Sequence, residues 1–155
     1  MPDLKLVALD KDDLSVISAH MQDALVLAGD LAYLPREKRF AAVANRFDWQ
    51  KAFANNAGKR DKRQDERRIS GLRFDRVLSA KIQGIDLKDR KLALSLLAIT
   101  FEPDADASKP GGEVTLTFAG KGSIRLTVEC LEVEMKDLGA VWAAKIAPKH
   151  PDEKM

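Results

Sequence analysis

Cysteine is nearly missing from this chain: Cys130 stands alone among 155 residues. No intramolecular disulfide can form, and nothing calls for an oxidising compartment. Histidine is almost as scarce, with His20 and His150 only, which excludes a histidine-rich catalytic or metal site. Long apolar runs are absent as well. The longest candidate, residues 92–101, is interrupted by Ser95 and Thr100 and falls short of the roughly 18 residues that a membrane helix needs. An excess of one charge is also lacking, because 26 Lys and Arg face 24 Asp and Glu, so composition selects neither an acidic nor a basic partner. At the N-terminus Asp3 precedes any basic residue, and Asp10, Asp12 and Asp13 arrive before an apolar stretch could form. That pattern is not a secretory signal, and the expectation is a cytoplasmic protein without a membrane partner.

What is present is an ordinary globular mixture, 45% hydrophobic and 32% charged. A chain of this size buries roughly 70% of its unfolded surface, enough for one core without a disulfide or metal staple. The expectation is one domain over residues 1–147 and a mobile tail over 148–155. Residues 4–9 read as a strand. At Asp10 the apolar period changes from two to about 3.6, with Leu14, Ile17, Met21 and Ala24 on one face, which predicts a helix over 11–24 capped by Asp10. Residues 25–34 and 39–47 read as strands joined at Pro35-Arg36-Glu37-Lys38, and Gly29 suggests a bulge.

Beyond a polar connection over 48–67, Leu72, Phe74, Leu78, Ala80 and Ile82 alternate along one long strand, with Arg76 the polar break on its apolar face. Further strands follow around Leu92–Phe101, Val114–Phe118 and Ile124–Met135, the last two joined by a hairpin connection at 119–123. The apolar parity shifts near Leu97 and again near Cys130, as a bulge would cause. Leu138, Val141, Trp142, Lys145 and Ile146 have helical spacing ending before Pro148, which predicts a short C-terminal helix. The short connections imply antiparallel neighbours. The fold class is therefore α+β: a curved antiparallel sheet or partly closed β-barrel of about seven strands, one helix near the N-terminus and one short C-terminal helix.

Few residues can carry chemistry. His20 lies three residues before Asp23, a spacing that allows an acid–base pair on a helix, although a boundary histidine packed on the sheet is the favoured reading. Cys130 shares the parity of Ile124, Leu126 and Val128, which reads as a small core hydrophobe rather than a nucleophile. Glu129, Glu132 and Glu134 could face a metal or a sugar, or could pair with nearby arginines. Gly120-Lys121-Gly122-Ser123 leads into a strand and lacks the glycine spacing of a phosphate loop, so it reads as a turn. No zinc, nucleophile-elbow or dinucleotide pattern occurs, and no cofactor is expected.

The charge is distributed unevenly. Residues 51–100 hold 13 basic and 6 acidic side chains. Lys59, Arg60, Lys62, Arg63, Arg67 and Arg68 fall in one stretch, close in sequence to Trp49, Phe53 and Phe74, a combination that could contact a nucleic-acid backbone. Asp61, Asp65 and Glu66 interrupt it, which favours a solvated loop. Arg46 and Arg76 each fall on the apolar parity of a strand, where a guanidinium needs a carboxylate or an anionic ligand. Asp48, Glu132 and Glu134 are the candidate partners, and a bound anion is the alternative.

Tyr33-Leu34-Pro35, Asn45-Arg46-Phe47-Asp48-Trp49, the stretches 68–77 and 118–130, and Asp137-Leu138-Gly139-Ala140-Val141-Trp142 together resemble an uncharacterised bacterial family, domain of unknown function 2948. The resemblance runs from about Leu4 to Trp142. It implies a cytoplasmic, mainly alphaproteobacterial, stand-alone domain, and it assigns no site residue. The functional expectation is a non-catalytic domain that binds an unknown protein or a small anionic ligand. Nucleic-acid binding through residues 59–76 is the alternative, and an enzyme of unrecognised type using His20 or Cys130 the second.

Overall fold

The computed structural model describes residues 4–47 and 67–140. They form β1 (Lys5–Ala8), α1 (Lys11–His20), β2 (Leu25–Leu34), a 3-10 turn over Pro35–Glu37, β3 (Arg39–Phe47), β4 (Arg67–Asp75), β5 (Val77–Gln83), β6 (Ala93–Pro103), β7 (Gly112–Phe118), β8 (Ser123–Val128) and β9 (Val133–Ala140). The strands make one nine-stranded sheet in the order β1-β9-β4-β3-β2-β6-β7-β8-β5, every neighbouring pair antiparallel. The ladder is open, with β1 and β5 at its edges, so it does not close into a barrel.

Nine strands replace the expected seven because two runs that read as single strands are broken. The first break is Arg76, whose φ of 63° turns the chain between β4 and β5. The second is the stretch 129–132, where the parity change near Cys130 divides β8 from β9. The two breaks lie side by side: Asp75 N–H donates to Glu132 O at 3.0 Å, and Glu129 N–H to Arg76 O at 2.8 Å. One long two-stranded ribbon therefore bends as a unit, β4–β9 on one side and β5–β8 on the other.

The start of the expected C-terminal helix must be corrected. Leu138 lies in β9, which continues to Ala140 between β1 and β4. Pairing with β4 holds that stretch through Asp137, Gly139 and Ala140, with Leu138 at a register shift, and local helical spacing is overridden by tertiary pairing. Val141, Trp142, Lys145, Ile146 and the tail lie outside the described residues, as do most of the polar connection and its Asp48. Helix α1 is also shorter than its periodicity implied, ending at His20 with Met21 as its C-cap. Asp23 turns left-handed at φ 66°, its N–H donates to Leu96 O at 2.7 Å, and Leu96 N–H donates to Ala24 O at 2.8 Å. The strand β6 thus ends the helix sooner than the apolar stripe would.

Leu14, Ile17 and Met21 bury the inner face of α1, while the Ser18 hydroxyl accepts from Ile99 N–H at 2.9 Å. The core includes Phe40, Phe74, Leu96, Leu116, Phe118, Leu126 and Val128. Phe40 and Phe74 are cross-strand partners with ring centroids 6.4 Å apart. Cys130 is half-buried in the bend rather than in the core, and Leu131 takes the inward position.

Candidate functional site: a charged cleft at the strand bend

The bend between β4 and β5 opens a cleft of about 330 Å³ lined by Glu37, Lys38, Arg39, Arg73, Asp75, Arg76 and Glu132. Pro35 starts the 3-10 turn that delivers Glu37 and Lys38, and Lys38 closes the turn at φ 53°. Lys38 O then accepts from Val77 N–H at 2.9 Å, clamping the turn onto the start of β5. Of the three non-glycine residues with left-handed backbones among the described residues, two, Lys38 and Arg76, line this cleft. Each such residue costs on the order of 1–2 kcal/mol, and strain of this kind concentrates at functional sites.

Asp75 organises the interior. Its Oδ1 accepts from Arg39 Nε at 2.8 Å and its Oδ2 from Arg73 Nε at 3.0 Å, with the carboxylate side chain only 15% exposed. Two guanidinium groups are thereby held side by side. The hydrogen bond to Asp75, then its charge, raises the pKa of Arg39 further above the ordinary arginine value. Arg73 Nη2 also donates to Glu134 at 2.7 Å, and Arg76 Nε reaches Glu132 at 3.4 Å. Lys38 Nζ donates to Glu129 at 2.8 Å, and that hydrogen bond lowers the Glu129 pKa despite some desolvation.

Several polar groups remain open among the described residues. The terminal nitrogens of Arg39 and Arg76 have no hydrogen-bond partner, and Glu37 has neither a hydrogen bond nor an ion pair. The Lys38–Glu129 and Arg76–Glu132 pairs are solvent-exposed, so a ligand can displace them at little cost. Chemically, the cleft offers fixed charges of both signs. It contains no histidine, cysteine or serine to move a proton or attack a carbonyl.

Arg46 and Arg76 do not meet. Arg46 is 2% exposed and makes a bidentate pair with Asp137, Nε to Oδ1 at 3.0 Å and Nη2 to Oδ2 at 2.9 Å. Ser70 Oγ adds 2.6 Å to Oδ1, Leu4 N–H adds 3.1 Å to Oδ2, and Arg46 Nη1 donates to Phe47 O at 3.3 Å. Burial works to raise the Asp137 pKa, but the hydrogen bonds from Arg46, Ser70 and Leu4, with the Arg46 charge, outweigh it and hold the carboxyl below 3.8. The parity of Arg46 was legible, whereas its partner was not, because position 137 carried no strand signal. Arg76 departs from its parity: the left-handed turn swings the side chain outward to 57% exposure.

Lys59, Arg60, Lys62 and Arg63 lie outside the described residues. Arg68 points inward and is 8% exposed. Arg67, its neighbour in β4, donates to Asn45 Oδ1 at 2.6 Å and sets its guanidinium 5.9 Å from the Phe47 ring centroid. Burial lowers the Arg67 pKa, against the opposing charge of Asp23. His20 closes α1 half-buried, and Asp23 lies beyond the helix end on a left-handed backbone rather than on the same helix. Glu129, Glu132 and Glu134 serve as partners of Lys38, Arg76 and Arg73. Among the described residues no group of three or more His, Cys, Asp and Glu could hold a metal ion, and no helix is long and apolar enough to cross a membrane.

Sequence reasoning missed Lys38, Arg39 and Arg73. The one available signal was the charge of the Pro35 turn, since Arg39 and Arg73 stand on the solvent parity of β3 and β4 like any surface arginine. Comparison with known proteins adds a family but no activity. The family described as "Protein of unknown function (DUF2948)" matches residues 4–150, and the chain belongs to it. No curated protein and no solved structure matches the chain.

Proposed function

We propose that this member of the family is a non-catalytic binding domain whose site is the cleft at the β4–β5 bend and whose ligand is a small anion. The observation that carries the reading is the pair of arginines, Arg39 and Arg76, with open guanidinium ends in a cleft built around two left-handed residues. A guanidinium fork suits a carboxylate or phosphate, and its charge does not vary over physiological pH. Permanently charged groups bind and orient an anion without transferring protons, which separates this site from an acid–base centre.

Thermal shift and calorimetric titration with inorganic phosphate, simple carboxylates and mononucleotides test the reading. Wild type is expected to be stabilised in proportion to occupancy, and Arg39→Ala/Arg76→Ala is expected to lose the effect. No stabilisation by any probe, or an equal shift in the double variant, overturns it. Gel shifts with single- and double-stranded oligonucleotides belong beside the titration. Binding that disappears when Lys59, Arg60, Lys62 and Arg63 are neutralised, while Arg39→Ala/Arg76→Ala leaves it intact, replaces the cleft by a nucleic-acid surface.

A further inference from the structure

We infer that the ligand of this cleft is a zwitterion of the α-amino-acid class, one carboxylate and one ammonium on a small skeleton; the inference rests on the binding reading above and narrows it. The lining carries four cations, Lys38, Arg39, Arg73 and Arg76, but also three carboxylates, Glu37, Asp75 and Glu132. Asp75 is consumed by Arg39 and Arg73. Glu37 makes no hydrogen bond or ion pair among the described residues, its charge acting on Arg39 from a distance, and Glu132 is held only by a long 3.4 Å contact from Arg76 Nε. The cleft groups that face solvent and are free to exchange water for a ligand are therefore of two kinds: donors on Arg39 and Arg76, and acceptors on Glu37 and Glu132.

A simple dianion satisfies the first kind and meets repulsion from the second. A cation does the reverse. A molecule with a carboxylate for the guanidinium ends and an ammonium for Glu37 and Glu132 satisfies both, and each contact is a charge-assisted hydrogen bond. The 330 Å³ of the cleft is at the small end of ligand pockets, which suits a single amino acid rather than a nucleotide. Glu37 and Lys38 sit on one short turn and Arg76 on the facing bend, joined through the Lys38 O to Val77 N–H bond. The two ends of the zwitterion would thus be held by one clamped unit.

The test is calorimetric titration of the full chain with the twenty common L-amino acids, followed by the N-acetyl and the decarboxylated counterpart of each one that binds. The free amino acid is expected to bind, with both counterparts weaker by roughly 10- to 100-fold, as loss of one charge-assisted contact implies. Glu37→Gln, an exposed substitution that leaves the fold intact, is expected to weaken the amino acid by a similar factor and to leave the N-acetyl form unchanged. An N-acetyl form that binds as well as the free amino acid overturns the zwitterion while the anion reading stands. Phosphate or simple carboxylates binding through Arg39 and Arg76 with no amino acid binding has the same meaning. Binding by none of the probes overturns both.

Discussion

Among single residues, Arg46 and Asp137 show how strongly a buried charge depends on its partner. Both are nearly inaccessible, and every oxygen of Asp137 is occupied. Asp137→Ala is expected to cost about 3–5 kcal/mol, because it strands a guanidinium in the interior, whereas Arg46→Met/Asp137→Leu should cost far less. Urea melts decide it, and a loss below about 1 kcal/mol for the single variant contradicts the burial. The same pair sets a pH dependence. The folded pKa of Asp137 lies below 3.8, so the unfolded chain takes up the proton first as pH falls. The contribution is complete above the ordinary carboxylate value and is lost as pH drops through the lowered folded value. The stability gap between wild type and Asp137→Asn should narrow below about pH 4, as acid titration followed by circular dichroism would show. Arg76 makes the opposite case, since its φ of 63° is strained for any residue with a Cβ. Arg76→Gly is expected to raise stability by about 0.5–1 kcal/mol while weakening anion binding. A lower melting temperature in that variant would show that the bend stores no strain.

Among elements, α1 illustrates a boundary set twice. Its start follows from local chemistry: Asp10 Oδ1 accepts from Asp13 N–H at 2.8 Å, with Asp12 and Asp13 in the positive first turn. Asp10→Ala should therefore cost about 1 kcal/mol and Asp10→Asn almost nothing, measurable as a shift of the urea midpoint. Its end is a tertiary matter, because β6 takes the backbone of Asp23 and Ala24 for its own ladder. Strand β9 repeats the lesson more strongly. Leu138 and its neighbours have helical spacing, yet β4 pairs with the strand as far as Ala140, β1 pairs with its first half, and Ser70 and Arg46 wait for the carboxylate of Asp137.

At the scale of the whole molecule, the bent ribbon of β4–β5 and β8–β9 runs through both halves of the sheet, and one continuous core spans them. Neither half can open without exposing the other's apolar face. Unfolding is therefore expected to be a single cooperative transition, with far-UV circular dichroism and the amides of β5 and β9 reporting coincident midpoints. Distinct midpoints for the two strands would mean that the bend is a hinge between independent units. The cleft belongs to this scale too. Glu37, Arg39, Arg73 and Glu132 come from three separate stretches of chain, and only the bend collects them.

The sequence by itself determined the antiparallel character, the N-terminal helix and its cap, the β2–β3 turn and most of the core, because each rests on short-range periodicity or on the chemistry of a few adjacent residues. The inward direction of Arg46 was legible for the same reason. Tertiary structure alone decided the division into nine strands, the fate of residues 138–140, the Asp137 partner and the outward turn of Arg76. Each of these depends on which backbone edges meet across a hundred residues or on one left-handed residue. Alternation along a strand reports which face a side chain takes only while the strand stays straight, and this one bends where its arginine matters most.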